Sequence, residues 1–550
     1  MKTIIGFVIQ LVMMAGIANA QNQTWQWAHG FGGGNGDQSL CIAADSWGNS
    51  YITGFYGSDS IHFGNSTIIN HGSSDIFIAK YNTLGDAIWA KGFGNAGADI
   101  AHGITTDSYG NIYITGYFTS ATITFGTFTL NNQGENDFFL VKLDSAGTVQ
   151  WAKSAGGQWN EYGYCITADH VGNIYVSGYY ESPIITLGTA TFTNWYSCGQ
   201  YISWFVAKFD GSGNNLWSTC PNSCGTIYGM HCDDANNLFL AGTYQSDSTD
   251  FGNNIYLLNN GGADAFIAKY SSTGTIQWAK QIAGTDYDWG QCVTTDPAGN
   301  AYISGDFLSP TLSVGNTTLT NHGNYDIYLA KYTNAGNFVW ARCVGDTASD
   351  NPMAICTDNW CYVYLSGAYG SGHLTFGTHT IANNGFTNAF IAKYDSAGTA
   401  VWATNLGGSN FDYGYSITTD GNNNIYHTST FSSSTITYGS QEVSDIGNYD
   451  GVVGKLSYLA TDVMNPFQPS PTALYPNPNN GSFTITNTNH SLATRLMITD
   501  LSGREIVGYT LNPNRDTEAI TLHLSSGIYF WQLITAEGTV DKGKLVIIGN

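Results

Sequence analysis

One feature constrains this chain more than any other: a repeat. Aligning GITTDSYGNIYITGYF (103–118) with CIAADSWGNSYITGFY (41–56), CITADHVGNIYVSGYY (165–180) and CVTTDPAGNAYISGDF (292–307) gives a single frame, which recurs less cleanly at 229–244, 354–369 and 416–431. Its Asp falls at Asp45, Asp107, Asp169, Asp233, Asp296, Asp358 and Asp420, so seven copies follow one another at intervals of 62 to 64 residues. Such a period is the signature of a repeat architecture, in which each copy is one supersecondary unit.

Eighteen residues after each Asp stands an apolar–Gly pair, from Phe63-Gly64 to Tyr438-Gly439. An alternating stretch follows, such as DFFLVKLD (137–144), with a Lys at Lys80, Lys142, Lys208, Lys269, Lys331, Lys393 and Lys455, then a Gly-containing turn and a strand carrying Trp. At least four period-2 segments per copy, separated by Gly, Asn and Asp turns, predict a four-stranded antiparallel blade. The Asp and Lys columns repeat with the blade and predict structural pairs between blades. Composition agrees, because 14% aromatic residues, 67 Gly and only 10% charged residues exclude a disordered polymer, a coiled coil or an ordinary helical enzyme.

The tryptophans predict how the repeats close. Trp27, Trp89, Trp151, Trp217, Trp278, Trp340 and Trp402 begin the spacers, yet the seventh copy ends at Lys455-Leu456 with no Trp after it, while Trp27 precedes the first hairpin. The N-terminal strand WQWAHG is therefore expected to supply the missing outer strand of the last blade. The expected fold is all-β, a seven-bladed β-propeller over 21–457 closed by its N-terminal strand, which leaves only short, protected edges. A solenoid would need caps rather than a split repeat. The frame G-I-T-x-D-S-x-G-N-I-Y-I-T-G followed by D-x-F-I-A-K-Y-D-S-A-G resembles the bacterial β-propeller repeats known as SBBP repeats, over about 437 residues from Gln21 to Ser457. The resemblance implies a fold and no agreed reaction. Two copies depart from it, with Asn236-Asn237 and Cys361-Tyr362 in place of Gly-Asn, which puts the turn geometry there in question.

Both ends read as addresses. Residues 1–20 combine Lys2, an apolar run from Ile4 to Ile17 and the ending Ala18-Asn19-Ala20, the pattern of a cleaved secretory signal peptide. The run is short for a bilayer span and no second hydrophobic stretch of about 20 residues follows, so no transmembrane segment is expected in the mature chain. A Pro- and Ser-containing stretch, with the linker placed at 458–472, precedes residues 473–550, which lack Cys, are denser in Lys and Arg, and read as a small Ig-like β-sandwich. YPNPNNGSFTI (475–485), DLSGREIV (500–507), LSSGIYFWQL (524–533) and KLVII (544–548) resemble, in order, the C-terminal type A sorting domain of the type IX secretion system of Bacteroidetes. That resemblance implies the type IX secretion machinery as a partner, and a protein secreted or attached to the outer-membrane surface. A sugar-binding sandwich is the competing reading. The net charge of −23 supplies no basic patch for a phosphate backbone and excludes nucleic acid as a partner.

Candidate sites lie in the loops between blades. Before each first strand sits an acid, at Asp37, Asp99, Glu161, Asp288, Asp350 and Asp412, with Gly225 in the fourth copy. A ring of such hard ligands near one channel mouth would suit a cation, most naturally Ca²⁺. Capping of backbone N–H groups in each acid's own loop explains the repetition better and is the preferred reading. Residues that do not repeat point to binding instead: Trp159 and Tyr162, Tyr287 and Trp289, Phe411 and Tyr413, with NWYSCGQYISW (194–204) in the longer third copy. Aromatics beside carboxylates and amides make carbohydrate sites, where rings stack on sugar faces. Filling of gaps between loops is the other reading.

Ten cysteines in an exported chain predict disulfides. One is expected among Cys198, Cys220, Cys224 and Cys232 and one between Cys356 and Cys361, with Cys41, Cys165 and Cys292 as buried fillers. No CxxC, HExxH or GxSxG occurs, and neither Gly-Lys pair is followed by Ser or Thr. These features predict an exported binding or adhesion module for glycans or surface protein, with no catalytic residue identified. The alternatives are a polysaccharide hydrolase or lyase using acids such as Glu161, Asp286 and Asp288, and a purely structural surface protein.

Overall fold

Each copy of the sequence frame becomes one sheet. A computed structural model describes residues 23–194, 202–221, 223–458 and the strands between 472 and 547. Residues 1–22, where the sequence predicts a signal peptide, most of segment 194–204 with Cys198, and nearly all of the expected linker lie outside the described residues. In the first copy, strands Asp37–Ala44, Ser50–Tyr56, Asp75–Tyr81 and Ala87–Phe93 pair in that order, and a small hairpin of Ser60–Phe63 with Ser66–Ile69 sits in the connection between the second and third. The two middle strands are buried on both faces, so they read as near-continuous apolar runs, whereas the outer strand is half-exposed.

The other copies repeat this arrangement, and the sheets are numbered here in chain order from the one that begins at Asp37; six have four strands, and the fourth is extended to six because Ile276–Ala283 also pairs with the small hairpin Thr311–Val314 and Thr317–Thr320 of the next copy. Each innermost strand contacts the next, and that of sheet 7, Asp412–Thr419, contacts that of sheet 1, so the row closes on itself as a β-propeller. Among the described residues there is no helix. Sheet 7 is completed from the other end of the chain: Gln23–Phe31 pairs antiparallel with Asp450–Tyr458, placing Trp27 opposite Lys455.

The Trp and Lys columns fasten each sheet to the next. Trp89 Nε1 and Lys80 Nζ both donate to the Ser145 carbonyl, at 3.4 and 3.1 Å, and Trp340 and Lys331 both donate to that of Ser396, at 3.2 Å each. The Trp ring also covers the glycine of the receiving turn. A Cβ on Gly274 or Gly398 would come within 2.8 Å of the Trp217 or Trp340 ring, and both glycines have positive φ, so close approach and backbone conformation each demand Gly there.

The Asp column works inside its own turn. Asp45 Oδ1 accepts the N–H groups of Trp47 and Asn49, and Oδ2 accepts the Asn49 amide and the Tyr51 hydroxyl. The Asp–Lys pairs expected between blades are within one sheet instead: Lys208–Asp169 at 3.1 Å, and Lys269–Asp233 and Lys331–Asp296 at 3.6 Å. The carboxylate and the lysine lie at the same end of one sheet, and the reach to the next sheet is made to a carbonyl. The turns that lack the usual Gly keep their shape, since Asn236, Asn423 and Cys361 take φ of 62°, 62° and 64°. Asn tolerates this region, and Cys361 is the uncommon case.

The expected Cys356–Cys361 bridge is absent and both thiols are free. Cys356 is buried in the core of sheets 6 and 7, opposite Tyr364, while Cys361 is half-exposed in a left-handed turn fixed by Asp358. In the other group Cys224 is disulfide-bonded, with its partner outside the described residues, and Cys220 and Cys232 are free.

Residues 460–550 form a separate compact unit. Its strands make a three-stranded and a four-stranded antiparallel sheet, which share a core that includes Phe483, Ile485, Leu496, Ile498, Ile520 and Trp531.

Candidate functional site

The acids that open the innermost strands turn their oxygens into their own loops. Asp37 Oδ1 accepts the N–H groups of Gly57 and Ser58 at 3.1 Å each, and Oδ2 accepts the Ser58 hydroxyl at 2.7 Å. The same clamp joins Asp99 to Ser120, Asp288 to Ser309, Asp350 to Ser371 and Asp412 to Ser433, while Glu161 accepts the N–H groups of Gly157 and Ser182. All six are at most 1% exposed. Burial raises their pKa against the pull of these hydrogen bonds, to about 6 for Asp350 and about 7 for Asp288. Each acts as a cap that ties the loop entering its strand to the loop leaving the next.

A β-bulge re-aims one residue in most innermost strands. The register skips Leu40, His102, Tyr164, Tyr228 and Met353 in sheets 1, 2, 3, 4 and 6. In sheets 2 to 4 the skipped residues are rings: His102 stacks on Tyr164 at 4.7 Å, and Tyr228 meets Tyr164 edge-on at 6.3 Å. Tyr162 joins them beside Tyr117 and Tyr179, at 4.5 and 4.7 Å, with its hydroxyl accepting the Asn136 amide at 2.5 Å. Burial holds His102 down to about 4 and pushes Tyr164 up to about 12, so both are uncharged at neutral pH.

The other aromatics fall into separate groups. Trp289 stacks with Tyr287 at 6.1 Å and lies 5.1 Å from Tyr325. Phe411 stacks on Phe386 at 5.1 Å, and Tyr413 lies 5.9 Å from Tyr415. Trp159 is half-buried and donates its backbone N–H to the Ser182 hydroxyl at 2.9 Å.

Sheet 5 brings a polar group to its aromatics. Asp306 stands where the other sheets have Phe55, Tyr117, Tyr179, Thr243, Ala368 and Thr430, and is 1% exposed. Its carboxylate accepts the Gln291 amide at 2.9 Å and bonds the Asn351 side chain, while its backbone carbonyl accepts the Trp289 N–H at 2.8 Å. Desolvation raises its pKa to about 7, so its charge changes near neutral pH. The signal in the sequence was ISGDF (303–307), an acid in a column that carries no other charge. Trp289 and Tyr325 thus share this part of sheet 5 with the Gln291 and Asn351 amides, which the buried Asp306 carboxylate holds; rings can stack on an apolar face and amides can exchange hydrogen bonds with hydroxyls.

At the hairpin-turn end of the ring a cavity of about 270 Å³ is lined by Asp45, Ser46, Asp107, Asp169, His170 and Gly421, among others. The first-hairpin aspartates bordering it, such as Asp45, are already committed to their own turns.

Residues 88–117 and 277–306 match the family described as the SBBP beta-propeller repeat, and residues 473–548 match the secretion system C-terminal sorting domain. The chain is 25% identical over 530 residues to an uncharacterized WD repeat-containing protein of Acanthamoeba polyphaga mimivirus, covering 78% of this chain but only 38% of that protein. Similar solved structures include the Pan2 WD40 domain of Neurospora crassa, with 10% identity, a TM-score of 0.33, and 66% of this chain and 90% of that one covered. A puromycin hydrolase mutant complexed with PGG has 9% identity and a TM-score of 0.41, with 90% of this chain and 59% of that one covered. At these scores the likenesses bear on neither fold nor activity. Among the described residues no helix is long and apolar enough to cross a membrane.

Proposed function

Since the chain carries SBBP β-propeller repeats and a type IX sorting domain that directs it to secretion or surface attachment, we propose that it is an exported seven-bladed propeller that binds glycan chains at the loop end of its ring. In this reading the N-terminal strand closes the ring, the signal peptide is cleaved, and the Ig-like tail serves delivery alone. One observation carries the binding reading: Trp289, Tyr287 and Tyr325 beside Asp306, Gln291 and Asn351. A sugar ring offers an apolar face to the indole and hydroxyls to the Gln291 and Asn351 amides, which the buried Asp306 carboxylate holds in place. Because this combination is confined to sheet 5, what every blade needs for packing does not explain it. The rings of sheets 2 to 4 would extend the contact for a longer chain.

A second reading, cleavage of polysaccharide, is favoured by Asp288 and Asp306, both raised by burial to about 7, a value that suits a general acid. A glycan and polysaccharide array probed with the mature protein separates the two, with calcium present and then chelated and reducing ends followed over time. Binding is expected, independent of calcium, with the glycan left intact. Reducing ends or unsaturated sugars accumulating would transfer the case to the enzyme. Absence of binding across a broad array would overturn the glycan reading in favour of a protein partner or a structural role.

A further inference from the structure

A departure from the repeat, Cys343, gives sheet 5 a second cluster, next in the chain to Tyr325 of the aromatic group. His322 and Asp326 sit where the chain enters the third strand, Asp326–Tyr332, and Cys343 lies on the outer strand, Phe338–Val344, opposite Tyr328. His322 Nδ1 is 3.0 Å from Asp326 Oδ2, Cys343 Sγ is 3.7 Å from the same oxygen, and all three ligand atoms lie within 4.8 Å of one another. Among the described residues this is the one such gathering of three His, Cys, Asp or Glu side chains. A tetrahedral ion with bonds of about 2.0–2.3 Å holds its ligands roughly 3.3–3.7 Å apart, so two edges of that figure are nearly formed.

We propose that His322, Asp326 and Cys343 form a binding site for a borderline-soft divalent cation of the Zn²⁺ class, with water completing the shell. The chemistry is matched in charge. Thiolate and carboxylate together carry two negative charges, imidazole adds a neutral nitrogen, and one N, one O and one S donor select Zn²⁺-like ions over Ca²⁺ or Mg²⁺. On binding, the imidazole keeps its proton on Nε2 and presents Nδ1 to the metal, and the thiol proton is released to solvent. Asp326 is buried and held by the His322 backbone N–H at 2.9 Å, which fixes the central ligand, while the His322 side chain is 57% exposed and free to close the third edge. Sheet 1 supplies an internal comparison: His71 and Asp75 form the same pair at 3.2 Å, but Gly92 stands in the place of Cys343.

The test is titration of the metal-stripped mature protein with Co²⁺ and Zn²⁺. Expected is one equivalent of Co²⁺ giving thiolate-to-metal charge-transfer absorption, with Zn²⁺ displacing it. Affinity for Zn²⁺ should rise with pH, since binding releases the thiol proton. Cys343→Ser should abolish the absorption. His322→Ala, at an exposed position that leaves folding intact, should weaken Zn²⁺ binding at least tenfold, and His71→Ala should change nothing. An absorption that persists in Cys343→Ser, or Zn²⁺ affinity equal in wild type and His322→Ala, would overturn the assignment.

Discussion

Trp27 of the first strand and Lys455 of the last face each other in the final ladder, and both donate to one acceptor, the Thr83 carbonyl of sheet 1, at 3.2 Å each. The two ends of the ring are thereby joined to each other and to the sheet that follows. Single replacements, Trp27→Phe and Lys455→Met, leave that carbonyl one donor, and the double replacement leaves it none. Each single variant is expected to lose about 1–3 kcal/mol in urea unfolding, with a coupling of about 0.5–3 kcal/mol in the double. Strict additivity would mean that the two residues do not share the acceptor.

The acid–serine clamps should behave as caps. Ser433→Ala removes the hydroxyl that donates to Asp412 at 2.7 Å and leaves a buried carboxylate short of a partner. The expected cost is about 1–3 kcal/mol by chemical denaturation, whereas Ser432→Ala, at a half-buried neighbour whose hydroxyl bonds only the Phe411 backbone in a solvent-exposed contact, should cost less, about 0.5 kcal/mol. Equal effects at the two positions would show that the clamp contributes nothing.

Asp306 makes a signed pH prediction. Its folded pKa of about 7 lies above the ordinary carboxylate value of 3.8, so the folded state holds this proton more tightly than the unfolded one. Its burial therefore costs nothing below about pH 4, and stability is lost as pH rises from there through 7. Relative to wild type, Asp306→Asn should gain stability progressively from pH 4 to 7 and level off above. The difference between variants isolates this group, because buried His102 and His427, held near 4 and 3, shift stability in the opposite sense. A difference that shrinks as pH rises would contradict the assignment.

Gly110 sits at φ 78° with the Trp47 ring 2.8 Å from where a Cβ would lie. Gly110→Val is expected to cost about 1–3 kcal/mol by thermal or urea unfolding. Gly421→Ala, which meets nothing within 4 Å and needs no positive φ, should be close to neutral.

The repeat made most of the propeller legible. The Asp, Lys and Trp columns each mark a contact every sheet must make, and the unpaired Trp27 marks the strand that completes sheet 7. The candidate site was less legible, for two physical reasons. A period-2 pattern does not reveal a bulge, so the turning of His102, Tyr164 and Tyr228 toward one another had no sequence signal. Asp306 stands in a column whose other members range from Phe to Ala, so an acid there reads as a surface residue until the neighbours that bury it are known. Spacing alone also suggested a Cys356–Cys361 bridge, which the core placement of one thiol and the turn conformation of the other exclude.

The most direct test of the binding site is the affinity of the best array ligand for wild type, Trp289→Ala and Trp47→Ala, measured side by side by calorimetry. Trp47 is 59% exposed in a first-hairpin turn, at the other end of the ring from the loops that carry Trp289. Expected is at least a tenfold loss for Trp289→Ala and no change for Trp47→Ala. Undiminished binding by Trp289→Ala, or a loss confined to Trp47→Ala, would contradict recognition at the loop end.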